Sequence, residues 1–248
     1  MNAYFKQLKV LSASTIKIIA CIAMFLDHIN CALWTRYSGY VLTLPYEKIM
    51  FYKRLNTIID RIGDLAFPLF CFMLIEGFQH TRSVKKYLTR LLIFALISEV
   101  PFDLTFYGEL IHAAHQNTLF TLFIGLLVVS IINSLFLADN LNYILRSLLM
   151  ATVIGCGCLA ARMLNVDYSF YGIVTIVILY FLRFDRRLQL FGGAMSFTYK
   201  LSAIPAFLIL LMYNQKRGLK LKYIFYAFYP LHLLIIYLIA TYAVPLLI

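Results

Sequence analysis

The stretch Arg61–Arg90, RIGDLAFPLFCFMLIEGFQHTRSVKKYLTR, contains an apolar segment of membrane length with an acidic residue at each end. The two acids are Asp64 and Glu76, and a histidine and four basic residues follow them. A segment that only crossed lipid would carry neither carboxylate, because an ionisable group in a bilayer costs a few kcal/mol and usually faces a protein interior or water. We therefore expect this stretch to be a transmembrane helix that contributes to a functional site.

The composition indicates an integral membrane protein. Of the 248 residues, 62% are hydrophobic and 13% are charged, and the mean hydropathy is +0.84. A soluble domain carries about 25% charged residues. Since a helical span needs about 20 residues, we predict an all-α, polytopic transmembrane helical bundle. It would have about eight membrane helices, within a range of about seven to nine, in a single domain over residues 1–248.

Apolar runs place the predicted spans at about residues 14–34, 62–78, 87–106, 117–137, 141–161, 168–182 and 223–244. Residues 35–60 are predicted to form a loop. The acids and Pro101 in the third span suggest a broken or cavity-lining helix. Residues 188–213 remain open, because a re-entrant segment around Lys200, two short spans or a single span would each fit the sequence.

The net charge of +11 is explained by membrane topology rather than by nucleic-acid binding. Residues 80–90, 183–187 and 214–222 contain four, three and four Lys or Arg residues, and residues 107–116 contain none. The positive-inside rule places the three basic loops in the cytoplasm. We therefore expect a multi-pass protein of the cell (inner, cytoplasmic) membrane with a cytoplasmic N-terminus. The five cysteines lack the spacing of a zinc or redox pair, so neither a disulfide nor a metal site is predicted.

An inner polar layer combines Glu76 and His80, one helical turn apart, with the basic residues that follow them. Such a cluster suits a polyphosphate or nucleotide-like ligand on the cytoplasmic side, because Arg and Lys form charge-assisted hydrogen bonds with phosphate. The alternative is that the loop charges only orient the chain in the membrane. A carboxylate within a span has no such use.

An outer polar layer begins with the adjacent pair Asp27-His28 in the first span. A histidine held by a carboxylate is a common general base near neutral pH. Adjacent helical residues point about 100° apart, so Asp27 either orients His28 or faces another partner such as Arg61. The alternative is an interhelical hydrogen-bonded pair without catalytic function. In the last span Pro230 is expected to break the helix, and His232 either satisfies the freed backbone groups or enters the site.

Five motifs occur in order: Asp27-His28, the run RIGDLAFPLFCFMLIEGFQHTRSVKKYLTRLLIFALISEVPFDL from Arg61, NTLFTL from Asn117, DYSFYG from Asp167, and KYIFYAFYPLHLLIIYLI from Lys222. This order, over about residues 11–237, resembles the TraX family, named after a conjugative-pilus protein required for N-terminal acetylation of pilin. The resemblance implies a membrane acetyltransferase that uses acetyl-CoA and acts on a membrane peptide such as pilin. A more distant likeness to membrane acyltransferases implies a sugar or small-molecule acceptor as the alternative.

The residue pattern and the resemblance together predict the site. Catalysis is expected of His28 with Asp27 and Glu76. Acetyl-CoA is expected to bind at His80, Arg82, Lys85, Lys86, Tyr87, Arg90, Arg183, Arg187, Lys216 and Arg217. The acceptor is expected at Arg61, Asp64, Glu99, Asp103, Asn117, Asp167, Tyr171, Tyr229 and His232. Asp64 departs from the family pattern, in which a small or apolar residue is commoner.

In the predicted mechanism, acetyl-CoA docks from the cytoplasm and its thioester reaches an acceptor amine or hydroxyl that enters from the outer side. His28 either deprotonates the acceptor or carries the acetyl group transiently. Two alternatives stay open. Intramembrane Asp, Glu and His residues also occur in proton-coupled transporters, and the chain could be a non-catalytic membrane assembly factor.

Overall fold

The structure is a computed structural model that describes residues 9–246. Within this range the chain is all helical, and its only β-type pairing consists of two isolated bridges, Leu11 with Tyr213 and Gln116 with Val166. The helices are α1 (Ala13–Val41), α2 (Tyr46–Gly63), α3 (Ala66–His80), α4 (Val84–Phe106), α5 (Thr118–Phe136), α6 (Tyr143–Met163), α7 (Ser169–Phe181), α8 (Arg186–Met195), α9 (Ala206–Leu211) and α10 (Lys222–Leu238), with a π-helix at Ile239–Ala243 and 3-10 turns at Leu201–Ala203 and Val244–Leu246.

The described chain divides into two compact units, each built from segments that are distant in sequence. Unit 1 contains residues 9–70, 97–112 and 200–246, and unit 2 contains residues 71–96 and 113–199. The division falls within α3 and within α4, so the two ends of each of these helices belong to different units. A single domain over the whole chain stays a prediction.

Four helices among the described residues are long and apolar enough to cross a membrane. They are α1, α5, α6 and the stretch Lys222–Leu246. Exposed apolar side chains such as Ile22 and Leu159 suit contact with lipid, where a water-soluble protein would place polar groups. The protein is therefore a helical membrane protein, but the count of about eight membrane helices is not confirmed.

The predicted loop at residues 35–60 is wrong. α1 continues to Val41, and α2 follows after a short turn. α2 is amphipathic, with Phe51 and Leu55 on one side and Lys53 on the opposite side. Its charged residues make α2 too polar for a membrane span. The apolar residues that recur at helical spacing are the signal that predicts a helix here.

The break expected at Pro230 is wrong, because α10 continues through this residue. For the third span, expected to be broken or cavity-lining, the broken alternative is wrong, because α4 continues through Pro101. Near Pro101 the Thr105 hydroxyl lies 2.6 Å from the Pro101 carbonyl oxygen and 2.9 Å from the Leu233 carbonyl oxygen. This hydroxyl ties the end of α4 to α10 within unit 1.

Residues 188–213 do not form one continuous helix. α8 ends at Met195, a turn and the 3-10 segment follow, and α9 occupies only Ala206–Leu211. The single-span reading is therefore wrong. The re-entrant reading around Lys200 stays a prediction.

In unit 2, glycines let α5, α6 and α7 approach closely. A Cβ atom at Gly125 would collide with Ile176 of α7, and one at Gly157 would collide with Val128 of α5. Small residues at helix contacts are typical of membrane bundles, in which van der Waals packing drives association.

Candidate functional site

Two histidines that are distant in sequence form a buried pair in unit 1. His28 lies midway along α1 and His232 lies in α10, and their side chains are 8% and 2% exposed. The Nδ1 atom of His28 is 2.8 Å from the Nε2 atom of His232. The two rings are nearly parallel, with centroids 5.0 Å apart.

A backbone carbonyl determines which ring nitrogens carry protons. The Nδ1 atom of His232 lies 2.9 Å from the carbonyl oxygen of Phe228, one turn earlier in α10. Because a carbonyl oxygen only accepts hydrogen bonds, Nδ1 of His232 must donate. In the neutral ring Nε2 of His232 is then the acceptor, so Nδ1 of His28 donates to it.

The consequence is that neutral His28 has an unprotonated Nε2 atom. This atom makes no hydrogen bond with any residue of the described chain. A neutral imidazole nitrogen with a free lone pair can accept a proton or attack an electrophile. The partner that orients His28 through Nδ1 is thus a second histidine, where sequence reasoning expected a carboxylate.

Aromatic rings surround the histidine pair. Phe106 and Tyr229 contact the His28 ring edge-on, with centroid distances of 5.4 and 6.2 Å. Phe228 stacks on His232 at 4.8 Å. These contacts hold both rings in one orientation and limit the access of water. Tyr229 and His232 thus lie beside His28, and their part in binding the acceptor stays a prediction.

Asp27 lies against the end of α2. A Cβ atom at Gly63 would collide with the Asp27 side chain, so the glycine makes room for this carboxylate. Asp27 and His28 thus have different surroundings, as the angle between adjacent helical residues requires.

Asp64 pairs with the segment that sequence reasoning left open. Its side chain is 3% exposed, and its Oδ1 atom lies 2.5 Å from the Lys200 ammonium nitrogen. The Ser202 hydroxyl donates to Oδ2. A buried carboxylate requires such partners, so the ion pair attaches residues 200–202 to the C-terminal end of α2 in unit 1.

The other predicted residues of unit 1 lie outside the histidine pair. Asp103 is buried, and its Oδ2 atom accepts a hydrogen bond from the His112 backbone N–H at 2.7 Å. Glu99 is half-buried, and Arg61, Lys216 and Arg217 are exposed. The carbonyls of Lys216 and Arg217 accept hydrogen bonds from the backbone at the start of α1.

In unit 2, Glu76 forms an ion pair that the sequence did not suggest. Its Oε1 atom lies 2.9 Å from a guanidinium nitrogen of Arg186 in α8. The Arg186 guanidinium also lies over the Phe72 ring, 4.5 Å from its centroid. The His80 Nδ1 atom bonds to the backbone carbonyl of Glu76 at 2.8 Å. The carboxylate of Glu76 is therefore compensated within unit 2.

The basic residues expected to bind acetyl-CoA are mostly exposed. Arg82, Lys85, Lys86 and Arg187 are exposed residues of unit 2. The Arg183 guanidinium stacks over Tyr180, 3.8 Å from the ring centroid. Arg90 lies over the Tyr87 ring at 6.0 Å, and Gly77 makes room for that tyrosine.

Three residues expected at the acceptor side have structural contacts in unit 2. Asn117 caps α5, and its amide also donates to the Ala95 carbonyl at 2.9 Å. Asp167 accepts hydrogen bonds from Thr118 and Thr121. Tyr171 is exposed and stacks on Tyr199, with centroids 4.3 Å apart. In residues 9–246 no group of three His, Cys, Asp or Glu side chains could hold a metal ion.

Comparison with known proteins agrees with the motifs. The family described as TraX protein matches residues 12–240, which is nearly the whole chain. This chain belongs to the TraX family. It is also 28% identical over 252 residues to the "Probable fimbrial assembly protein FimC, serogroup H1" of Dichelobacter nodosus, with 90% of this chain and 93% of the relative covered. No solved structure matches the chain.

Sequence reasoning on this TraX chain missed two arginines. Arg186 was overlooked beside Arg183 and Arg187, because three basic residues in one loop are indistinguishable without the fold. Arg36 was assigned to a loop, although it lies in α1 and contacts Thr241. A weak signal existed for Arg36, since Cys31–Tyr46 contains no acidic residue.

Proposed function

We propose that this TraX protein is a membrane-embedded acetyl-CoA-dependent acetyltransferase in which His28 is the general base. One observation carries the proposal. The chain of hydrogen bonds from His28 through His232 to the Phe228 carbonyl leaves Nε2 of His28 unprotonated. A general base requires an unprotonated ring nitrogen, and this tautomer of His28 supplies one.

The chemistry follows from that nitrogen. The acceptor amine or hydroxyl attacks the carbonyl carbon of the thioester while Nε2 of His28 takes its proton. The C–S bond then breaks, and the departing thiolate takes the proton from Nε2, so that free CoA and the acetylated acceptor leave and neutral His28 is restored. His232 acts as a positioning residue, because its Nε2 atom accepts the hydrogen bond that Nδ1 of His28 donates.

An alternative course forms an acetyl-histidine. Nε2 would attack the thioester, CoA would leave, and the acceptor would then attack the acetyl-imidazole. Direct transfer is preferred. A single turnover with radiolabelled acetyl-CoA and no acceptor distinguishes the two courses, because only the second leaves label on the protein.

The donor and acceptor are proposed from charge and similarity. The exposed basic residues at 82–90 and 183–187 suit the phosphates of acetyl-CoA on the cytoplasmic side of the inner membrane, with the N-terminus also cytoplasmic. The family name and the fimbrial relative favour a membrane peptide with a free N-terminus, such as a pilin. A sugar or small-molecule hydroxyl is the second acceptor class.

A role for Glu76 in proton transfer is not part of this proposal. Its ion pair with Arg186 compensates the charge, and its contacts are those of a structural carboxylate. Asp27 packs against Gly63 and interacts electrostatically with Lys200, and it is given no part in the proton transfer.

The test uses protein purified in detergent. Calorimetry measures acetyl-CoA binding, and transfer of radiolabelled acetyl groups is followed into a membrane fraction from cells that lack the protein. His28→Ala should abolish transfer while folding and acetyl-CoA binding persist, and near-normal turnover would remove His28 from the mechanism. A protein without affinity for acetyl-CoA would instead be a proton-coupled transporter or an assembly factor. Similarity to a fimbrial assembly protein favours the assembly factor of these two.

A further inference from the structure

Arg36 of α1 lies in unit 1, two helical turns beyond His28. Eight residues separate the two positions, which corresponds to about 12 Å along the helix axis. One guanidinium nitrogen donates to the Thr241 hydroxyl, and another donates to the Leu104 carbonyl at 3.0 Å. The guanidinium also lies over the Tyr237 ring, 5.4 Å from its centroid.

The charge of Arg36 is not balanced by a carboxylate of the described residues. Across residues 9–246, no carboxylate lies within ion-pairing distance of this guanidinium. Its hydrogen-bond partners are a neutral hydroxyl and a neutral carbonyl, and the side chain is only half-exposed. A partly desolvated arginine without a carboxylate is costly unless an anion binds to it.

A cavity of about 400 Å³ opens beside this guanidinium. Its walls include the aromatic rings of Phe106, Tyr107 and Tyr237 and the side chain of Thr35. The volume falls within the range of about 300–1,000 Å³ that small-molecule sites occupy. An apolar wall with one charged group is typical of sites that orient an amphiphilic ligand.

The π-helix Ile239–Ala243 forms part of this cavity. Thr241 lines it, and the neighbouring Ala240 carbonyl accepts a hydrogen bond from the Tyr37 hydroxyl at 2.5 Å. Single π-turns are rare in proteins as a whole. Those that do occur are often found at functional sites, because the wider turn redirects side chains. Here Arg36 and Tyr37 of α1 both hold the π-helix in place.

We propose that this cavity binds the oxyanion group, a phosphate or a carboxylate, of an amphiphilic molecule. The planar guanidinium donates to two oxygens of the anion, and the apolar part of the ligand contacts the aromatic walls. Phe106 lines the cavity and also contacts His28, so the ligand lies next to the histidine pair. The proposal depends only on the geometry of unit 1 and not on acetyl transfer.

Binding is measured with dodecyl phosphate as the probe, on protein held in dodecyl maltoside. Trp34 is the one tryptophan in the sequence and stands two positions before Arg36, so its fluorescence reports on the site. Wild-type protein should give a saturable change. Arg36→Gln should weaken the affinity at least tenfold. Arg36→Lys keeps the charge but loses the planar pair of guanidinium donors, so it should give an intermediate affinity.

The matched control is Arg54→Gln, an exposed arginine of α2 in the same unit. It removes the same charge and should leave the affinity unchanged. Equal affinities for wild type and Arg36→Gln, or an equal loss with Arg54→Gln, would overturn the proposal, as would a similar Arg36-dependent signal from dodecyl trimethylammonium.

Two further measurements keep the test decisive. If Arg36→Gln does not fold, Thr35→Phe fills the cavity while Arg36 remains, and unchanged binding by this variant would contradict the proposal. Inorganic phosphate distinguishes the source of the anion. If phosphate competes with dodecyl phosphate, the site accepts free oxyanions. If phosphate does not compete, the ligand is recognised also by its apolar part, as a lipid would be. Both outcomes support binding of an oxyanion at Arg36.

Discussion

The Nδ1 atom of His28 lies 2.8 Å from the Nε2 atom of His232, although 204 positions separate the two residues in the chain. The contact joins the first long helix to the last one. Because His232 also bonds to the Phe228 carbonyl, a backbone group determines the tautomer of both neutral rings. The two histidines are therefore coupled, and changes at His232 should alter the chemistry of His28.

Replacing His232 tests this dependence. His232→Ala should lower kcat by roughly 100-fold or more, the scale expected for general-base catalysis, while the KM for acetyl-CoA stays within about twofold. Without its acceptor, Nδ1 of His28 no longer has to carry the proton, so the acidic limb of the pH–rate profile should also move. His115→Ala is the matched histidine control. A lower kcat with an unchanged pH profile would indicate that His232 is only structural.

Gly63 and Gly39 form a matched pair for the packing of α1. Gly63→Ala should lower the free energy of unfolding by about 1–3 kcal/mol, because the added methyl group collides with Asp27. Gly39→Ala lies in the same pair of helices with open space around it, so it should instead gain up to about 1 kcal/mol of stability from helix propensity. Thermal unfolding in detergent measures both changes. Equal effects at the two glycines would show that the Asp27 contact is absent.

The ion pair between Asp64 and Lys200 predicts a non-additive response. Lys200→Met leaves Asp64 buried without its cation and should cost about 1–3 kcal/mol of stability. Adding Asp64→Asn to this variant should recover part of the loss, because the remaining groups are then uncharged. Lys53→Met, an exposed control, should change stability by about 0.5 kcal/mol or less. Additive losses in the double variant would contradict the pairing.

Glu76 distinguishes a structural carboxylate from a catalytic one. Glu76→Gln keeps an oxygen that Arg186 can donate to, but it removes the charge, so we expect a loss of about 1–3 kcal/mol in stability. The specific activity of the folded fraction should remain within about twofold of wild type. A large loss of kcat without a change in unfolding temperature would return Glu76 to the catalytic site.

The sequence predicted much of the helical content correctly. The spans expected near residues 117–137, 141–161, 168–182 and 223–244 match α5, α6, α7 and the last helix within a few residues, since a long apolar run has little alternative to a helix. α2 was missed because its apolar residues recur at helical spacing among charged ones, and a hydropathy average hides that pattern. Pro101 and Pro230 do not break their helices, because a membrane helix tolerates a proline where neighbouring groups satisfy the backbone carbonyl that it frees.

For the site, sequence reasoning identified His28, His232 and Tyr229 separately but did not pair them. Sequence reasoning also assigned the polar residues to two layers by their depth in the membrane. In the structure most of these residues instead have separate partners. Asp64 pairs with Lys200, Glu76 pairs with Arg186, and Asp167 receives hydrogen bonds from two threonines. Equal depth in a membrane means only that two residues lie at the same height along the membrane normal. A hydrogen bond also requires their side chains to lie close together within the membrane plane.

The amino-acid sequence by itself determined that the chain is a helical membrane protein of the TraX family, because apolar runs and motif order depend on residues close together along the chain. Only the tertiary structure decided that His28 is oriented by a histidine, that Glu76 is compensated by Arg186, and that Arg36 faces a cavity with no carboxylate of residues 9–246 within ion-pairing distance. These relationships join residues about 70 to 200 positions apart. Their existence depends on how helices pack and on which way each side chain points, and hydropathy carries neither kind of information.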